Sequence, residues 1–160
     1  MNKVTFFAML IALTFSCTMA STQMTFAAPE KVATNVSSKT ILWHYNLDAA
    51  AARAVEQKKP MFIFFFNHYC EWCEKMKKET LSNQDIVNVL NTKFVPLQVD
   101  IDTSDLAKDL DIKSIPTMVV ISVAPNGKVS TLGYKVGFMK SDEMLSFLNA
   151  CLNMCLVSKG

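Results

Sequence analysis

This chain is poor in several features that would each have suggested a function. It lacks a dominant charge: 16 basic and 14 acidic residues leave +2 overall. Nothing in that balance asks for nucleic acid or an anionic membrane surface as a partner. It has only two histidines, His44 and His68, and its other cysteines lie far from Cys70 and Cys73, Cys17 near the N-terminus and Cys151 and Cys155 far downstream. The four-ligand set that structural zinc needs is therefore hard to complete, and no metal site is expected. No internal repeat or low-complexity tract is present, and no flavin, haem or nucleotide site, so no cofactor beyond the cysteines is expected. Its first apolar run, Val4 to Phe15, falls short of the about 20 residues that a membrane span needs. What is abundant is core material. Hydrophobic residues make up 51% and charged residues 19% of 160, enough for one packed domain.

The N-terminus has the layout of a cleavable signal peptide over residues 1–20. Met1-Asn2-Lys3 is a short positive start, Val4–Phe15 is apolar, and Thr18-Met19-Ala20 suits a small-residue cleavage site. A lipoprotein at Cys17 or an uncleaved anchor is the weaker alternative. Cleavage would remove Cys17 and leave four of the five cysteines. Export to the periplasm would put them in an oxidising compartment, where idle thiols tend to pair. Residues 21–38 are small and polar and read as a flexible lead-in. The folded domain is expected over residues 39–160.

Within that domain, Ile41–Tyr45 reads as extended, and Asp48 is placed to cap an alanine-rich helix through Gln57. Met61–Phe66 is six apolar residues in a row, bounded by Pro60 and Asn67. That marks a central strand buried on both faces. A helix from Cys70 to about Thr80 follows, then one capped by Ser82 or Asn83. A strand over Phe94–Asp100, a short helix over Ser104–Leu110 and a strand over Thr117–Val123 come next. Asn126-Gly127 makes a hairpin turn to a return strand over Val129–Leu132, and Ser141 to about Leu156 closes the chain as a helix. The order predicts an α/β fold with a mixed sheet flanked by helices on both faces.

Cys70-Glu71-Trp72-Cys73 stands directly after the buried strand and opens a helix. There the positive end of the helix dipole and unpaired backbone N–H groups favour thiolate, the attacking species. The two-residue spacer brings the second sulfur within bonding reach, one turn further in. Cys70 is thus the expected nucleophile, and Cys73 the resolving thiol that attacks a mixed disulfide. Ser114-Ile115-Pro116-Thr117, just before a strand, is the second signal.

With these pieces together, the chain resembles the thioredoxin superfamily, and within it the periplasmic thioredoxin-like thiol–disulfide oxidoreductases. The likeness runs from about Trp43 to about Leu152. It rests on Met61–Phe66, Cys70–Cys73, Val99-Asp100, Ile115-Pro116-Thr117 and Val136-Gly137-Phe138. The Lys-Pro before the strand and the Cys-x-Trp-Cys form point to the periplasmic branch. The resemblance implies a thioredoxin fold with a cis Pro116 facing the redox pair. It also implies a substrate site made by Trp72, Ile115, Pro116 and Gly137. Protein disulfides would be the substrates, a membrane thiol carrier the electron donor, and a monomer the working form. The chain lacks the inserted helical domain that oxidases of that family carry, which favours a reductase. An oxidase, an isomerase or a non-catalytic binding module remain the alternatives.

The departures are specific. Glu71-Trp72 replaces the Gly-Pro common between the cysteines, and Tyr69 replaces the usual preceding tryptophan. Phe64 stands where ordinary thioredoxins place a buried aspartate that assists proton transfer. Water, Glu71 or His68 would have to serve instead, and both residues are candidates for tuning the thiol. Cys151 and Cys155, four apart on the last helix, fit best as small buried hydrophobes. Phe138 and Met139 are expected to contribute an apolar rim near the redox pair.

Overall fold

A computed structural model describes residues 38–157. The expected signal peptide and, apart from residue 38, the expected lead-in fall outside the described residues. All described residues belong to one unit. Four strands form its sheet: β1 (Met61–Phe66), β2 (Val95–Asp100), β3 (Thr117–Val123) and β4 (Val129–Val136). Their order is β2-β1-β3-β4, with β2 parallel to β1 and the other two pairings antiparallel. Five helices complete it: α1 (Leu47–Gln57), α2 (Glu71–Glu79), α3 (Gln84–Lys93), α4 (Leu106–Asp109) and α5 (Ser141–Val157).

The unbroken apolar run of β1 follows from its central place. Side chains alternate across a strand. Phe62, Phe64 and Phe66 therefore join a core with Cys73 and Met76 of α2, Leu90 of α3 and Leu148 of α5. Met61, Ile63 and Phe65 join a second core with Ala50 and Ala54 of α1 and Ala107 of α4. All six are buried, so helices cover both faces of a mixed sheet. Truncating one of these phenylalanines to alanine costs about 3–5 kcal/mol. On the first face Trp43 lies over Phe62 and Phe64, with ring centroids 6.2 and 6.1 Å apart. Its segment is extended, as expected, and joins the sheet by a single parallel bridge from His44 to Leu97.

Two local expectations are corrected. Asn46, not Asp48, caps α1: its backbone is extended and its side-chain oxygen accepts the Ala49 N–H at 2.8 Å. Asp48 sits inside the first turn, where its charge suits the helix dipole. The return strand runs on to Val136 instead of stopping at Leu132. β4 is the sheet's edge and mostly exposed, so Tyr134 and Lys135 gave no apolar pattern to read. Its register shifts where Val120 pairs with Gly133 and Ile121 with Thr131. The skipped residue is Leu132, and this bulge turns it into the core.

Candidate redox site

The site is assembled where β1 and β2 end, α2 begins and the chain enters β3. β1 delivers the chain to a short turn in which Asn67 Oδ1 accepts the Tyr69 N–H at 3.0 Å. Cys70 is then the N-cap of α2, with extended backbone. Its carbonyl accepts the Cys73 and Glu74 N–H groups at 3.0 and 3.1 Å. Its Sγ also lies 3.0 Å from the Cys73 nitrogen. Cys70 and Cys73 are joined as a disulfide, Cα atoms 5.2 Å apart. Cys70 is partly exposed and Cys73 is 0% exposed, so only one sulfur can meet a substrate. On reduction, the Cys73 N–H that now faces Cys70 Sγ, together with the helix terminus, favours thiolate there.

Around the pair the other expected residues separate into two groups. Ile115 packs against both cores, as the neighbour of the buried Pro116, and the peptide bond between them is cis. The Gly137 N–H donates to the Pro116 carbonyl at 2.8 Å, which joins the loop before α5 to the loop before β3. Gly137 has φ 89°, a left-handed value suited to glycine, although a Cβ there would meet nothing within 4 Å. Trp72 is 57% exposed. Its ring lies 6.1 Å from that of Phe138, and Lys75 Nζ sits 5.1 and 5.0 Å from the two ring centres. Phe138 thus stands at the rim as expected, while Met139 is buried in the core.

His68 and Glu71 border the other side, where they and Cys70 line a shallow depression of about 420 Å³. His68 Nε2 is 3.2 Å from Asp100 Oδ2. Asp100 was missed as a site residue in the sequence. The sequence held only a partial signal, an aspartate at the carboxyl end of an expected strand, where α/β sheets gather their sites; that Asp100 is the register partner of Phe66 came from the structure. Glu74 pairs with Lys77 at 2.9 Å, and that hydrogen bond holds the Glu74 carboxyl below its ordinary range.

A second unforeseen contact fixes the far end of α2. The buried Thr80 hydroxyl donates to the Met139 carbonyl at 2.5 Å, so α2 and the Gly137–Lys140 loop are held together. Cys151 and Cys155 are both buried, as expected. Among the described residues, no three His, Cys, Asp or Glu side chains gather where they could hold a metal ion, and no helix is long and apolar enough to cross a membrane.

A reachable sulfur bonded to a buried one at a helix N-terminus, on a mixed sheet with helices on both faces, defines a thioredoxin-fold redox protein of the dithiol–disulfide kind. Residues 42–122, half of the chain, match the model of the Thioredoxin-like family. The chain belongs to that family. Among solved structures, a thioredoxin from Thermus thermophilus superposes with a TM-score of 0.62 at 25% identity, over 70% of this chain and 86% of that one. A DsbH oxidoreductase gives 0.58 at 18% identity, over 74% and 89%. The C-terminal domain of Neisseria meningitidis DsbD in its oxidised form gives 0.52 at 24%, over 64% and 90%. Two curated relatives share shorter stretches. Spermatogenesis-associated protein 20 of Rattus norvegicus is 33% identical over 58 residues, 36% of this chain and 7% of that protein. An uncharacterised Caenorhabditis elegans protein is 31% identical over 64 residues, 40% of this chain and 9% of that one. The chain therefore matches less than a tenth of the length of these two relatives.

Proposed function

We propose that this protein is an exported reductase of protein disulfides. Cys70 is the nucleophile and Cys73 the resolving thiol. The observation that carries the reading is the Cys70–Cys73 disulfide itself: it caps α2, with one sulfur reachable and the other sealed in the core. In the reduced protein, Cys70 thiolate attacks a substrate disulfide and expels one substrate sulfur. Cys73 then attacks Cys70 Sγ, releases the second substrate sulfur and restores the observed disulfide. Two electrons pass from the dithiol to the substrate. Trp72, Ile115, Pro116 and Gly137 receive the substrate chain, and Glu71, exposed beside Cys70, sets the local charge.

The positive start, the apolar run Val4–Phe15 and the Thr18-Met19-Ala20 site support export by a cleaved signal peptide, with the periplasm as destination. A reductase in an oxidising compartment must be recharged, so its partner is a membrane carrier that delivers electrons as thiols. The protein works as a monomer and needs no cofactor beyond its cysteines.

The test is the reduction potential of the Cys70–Cys73 pair, measured by equilibration against thiol buffers. A reductase requires a value near or below about −250 mV, whereas an oxidase sits near about −120 mV. A strongly oxidising value would replace the reductase with an oxidase or isomerase. A pair that never equilibrates would make the disulfide structural.

A further inference from the structure

Exchange at Cys70 moves protons as well as electrons, and the core supplies nothing to carry them. Cys73 is fully buried in an apolar core that also holds Phe64. Among the described residues the buried polar side chains are Thr80 and Thr117, and neither ionises near neutral pH. The proton carrier must therefore stand at the mouth, among the groups that share the depression with Cys70. Of the side chains there, imidazole is the type whose ordinary titration falls between about pH 5 and 8, so it can both take and return a proton.

We propose that His68, held by the Asp100 carboxylate, is the proton carrier of the exchange at Cys70. This rests on the exchange reading above and adds a residue pair to it. The placement is built, not incidental. Asp100 ends β2 beside the end of β1 and is only 17% exposed, against 75% for His68. Asp100 Oδ1 accepts the Asp102 N–H at 3.0 Å, which leaves Oδ2 for His68 Nε2 at 3.2 Å. The edge of the imidazole meets the Phe66 ring, centroids 5.5 Å apart, so the ring is braced on a second side. Other charges face it from α2. Glu74 interacts with it electrostatically and is itself paired with Lys77 and influenced by Lys78, and Glu71 and Lys75 border the same depression.

The proton balance is simple. His68 takes the proton of the Cys70 thiol, and the thiolate attacks the substrate disulfide. The S–S bond breaks, and His68 returns the proton to the departing sulfur. The proton of Cys73 goes to the second substrate sulfur when the Cys70–Cys73 bond closes. Asp100 touches no reacting atom and is a positioning residue.

A leaving sulfur that needs a proton distinguishes this role from general electrostatics. The prereduced protein is reacted with two probes. Oxidised glutathione expels an alkyl thiolate that must be protonated, whereas 5,5′-dithiobis(2-nitrobenzoate) expels a stable aromatic thiolate. His68→Gln is expected to slow both reactions through the lost base, and the glutathione reaction about tenfold more than the aromatic one, through the lost proton for the leaving sulfur. The pH profile of the glutathione reaction should lose one ionisation at the same time. Asp100→Asn should give a smaller shift of the same ratio. An unchanged ratio in His68→Gln, including equal slowing of both probes, overturns the proposal. An unchanged ratio in Asp100→Asn alone removes the positioning role of that carboxylate. A wild-type protein that reacts with neither probe overturns the exchange reading instead, and this inference with it. His68 is exposed, so its variant is expected to fold.

Discussion

Replacing Gly133 by alanine should damage this protein far more than a surface glycine on an edge strand would suggest. Gly133 lies on β4, directly under α5. A Cβ there would come within 2.5 Å of Cys151 Sγ, 2.6 Å of Phe147 Cε2 and 2.9 Å of Phe147 Cζ. All three atoms belong to α5, so no single side-chain rotation clears the clash. Phe147 is 8% exposed and Cys151 1%, so neither has open space to turn into. Relief requires the helix to lift from the sheet by about an ångström, which opens voids beneath Met144 and Leu148. Overpacking of this kind costs about 1–3 kcal/mol, and two blocked side chains put the expectation near the upper end. For a domain of this size that corresponds to a fall in Tm of roughly 10 °C. The assay is a urea titration with a thermal melt, run on Gly133→Ala, Cys151→Ala and the double variant. The double variant removes the sulfur, gives Phe147 room to move, and should recover about 1 kcal/mol relative to the sum of the singles. A loss below about 0.5 kcal/mol, or a strictly additive cycle, would refute the claim that glycine is there for space.

Three further outcomes are expected. Cys73→Ser should accumulate a mixed disulfide between Cys70 and a substrate, visible by mass spectrometry, while Cys70→Ser should form none; a trapped Cys73 adduct in the latter would reverse the assigned roles. Burial pushes the Cys151 thiol up to about 11 from 9.0, so in that window the unfolded thiol ionises and the folded one does not. Its contribution to stability is therefore complete below that window and lost as pH rises through it, and the urea midpoint of Cys151→Ala should fall less steeply there than that of the wild type. Asn83→Ala should cost about 1 kcal/mol in urea titration, because its side-chain oxygen accepts the Asp85 and Ile86 N–H groups at the start of α3.

Much of the fold was legible because each strong pattern had a single cause. Six apolar residues in a row fit only a strand covered on both faces, and β1 spans the expected Met61–Phe66. Thr117–Val123 was as plain, being β-branched and buried in its first five residues. Asn83 and the Asn126-Gly127 turn declared themselves through local backbone chemistry. Failures came where the sequence offered two equivalent polar groups, as at Asn46 and Asp48, or where one face met water, as along β4.

The sequence by itself determined the main elements and the cysteine pair at a helix start. Those depend on spacing of two residues, on a helix start and on an apolar run, all within reach along the chain. Only the tertiary structure decided what surrounds them. Asp100 lies 32 positions from His68 in this numbering, and sheet pairing alone brings the carboxylate within 3.2 Å of the imidazole. Thr80 and Met139 meet across 59 residues because the end of α2 packs beside the loop before α5, and Gly133 acquires its purpose only when α5 is laid against β4. Side-chain contacts between distant segments depend on register and on the depth at which a helix sits, and neither is written in local composition.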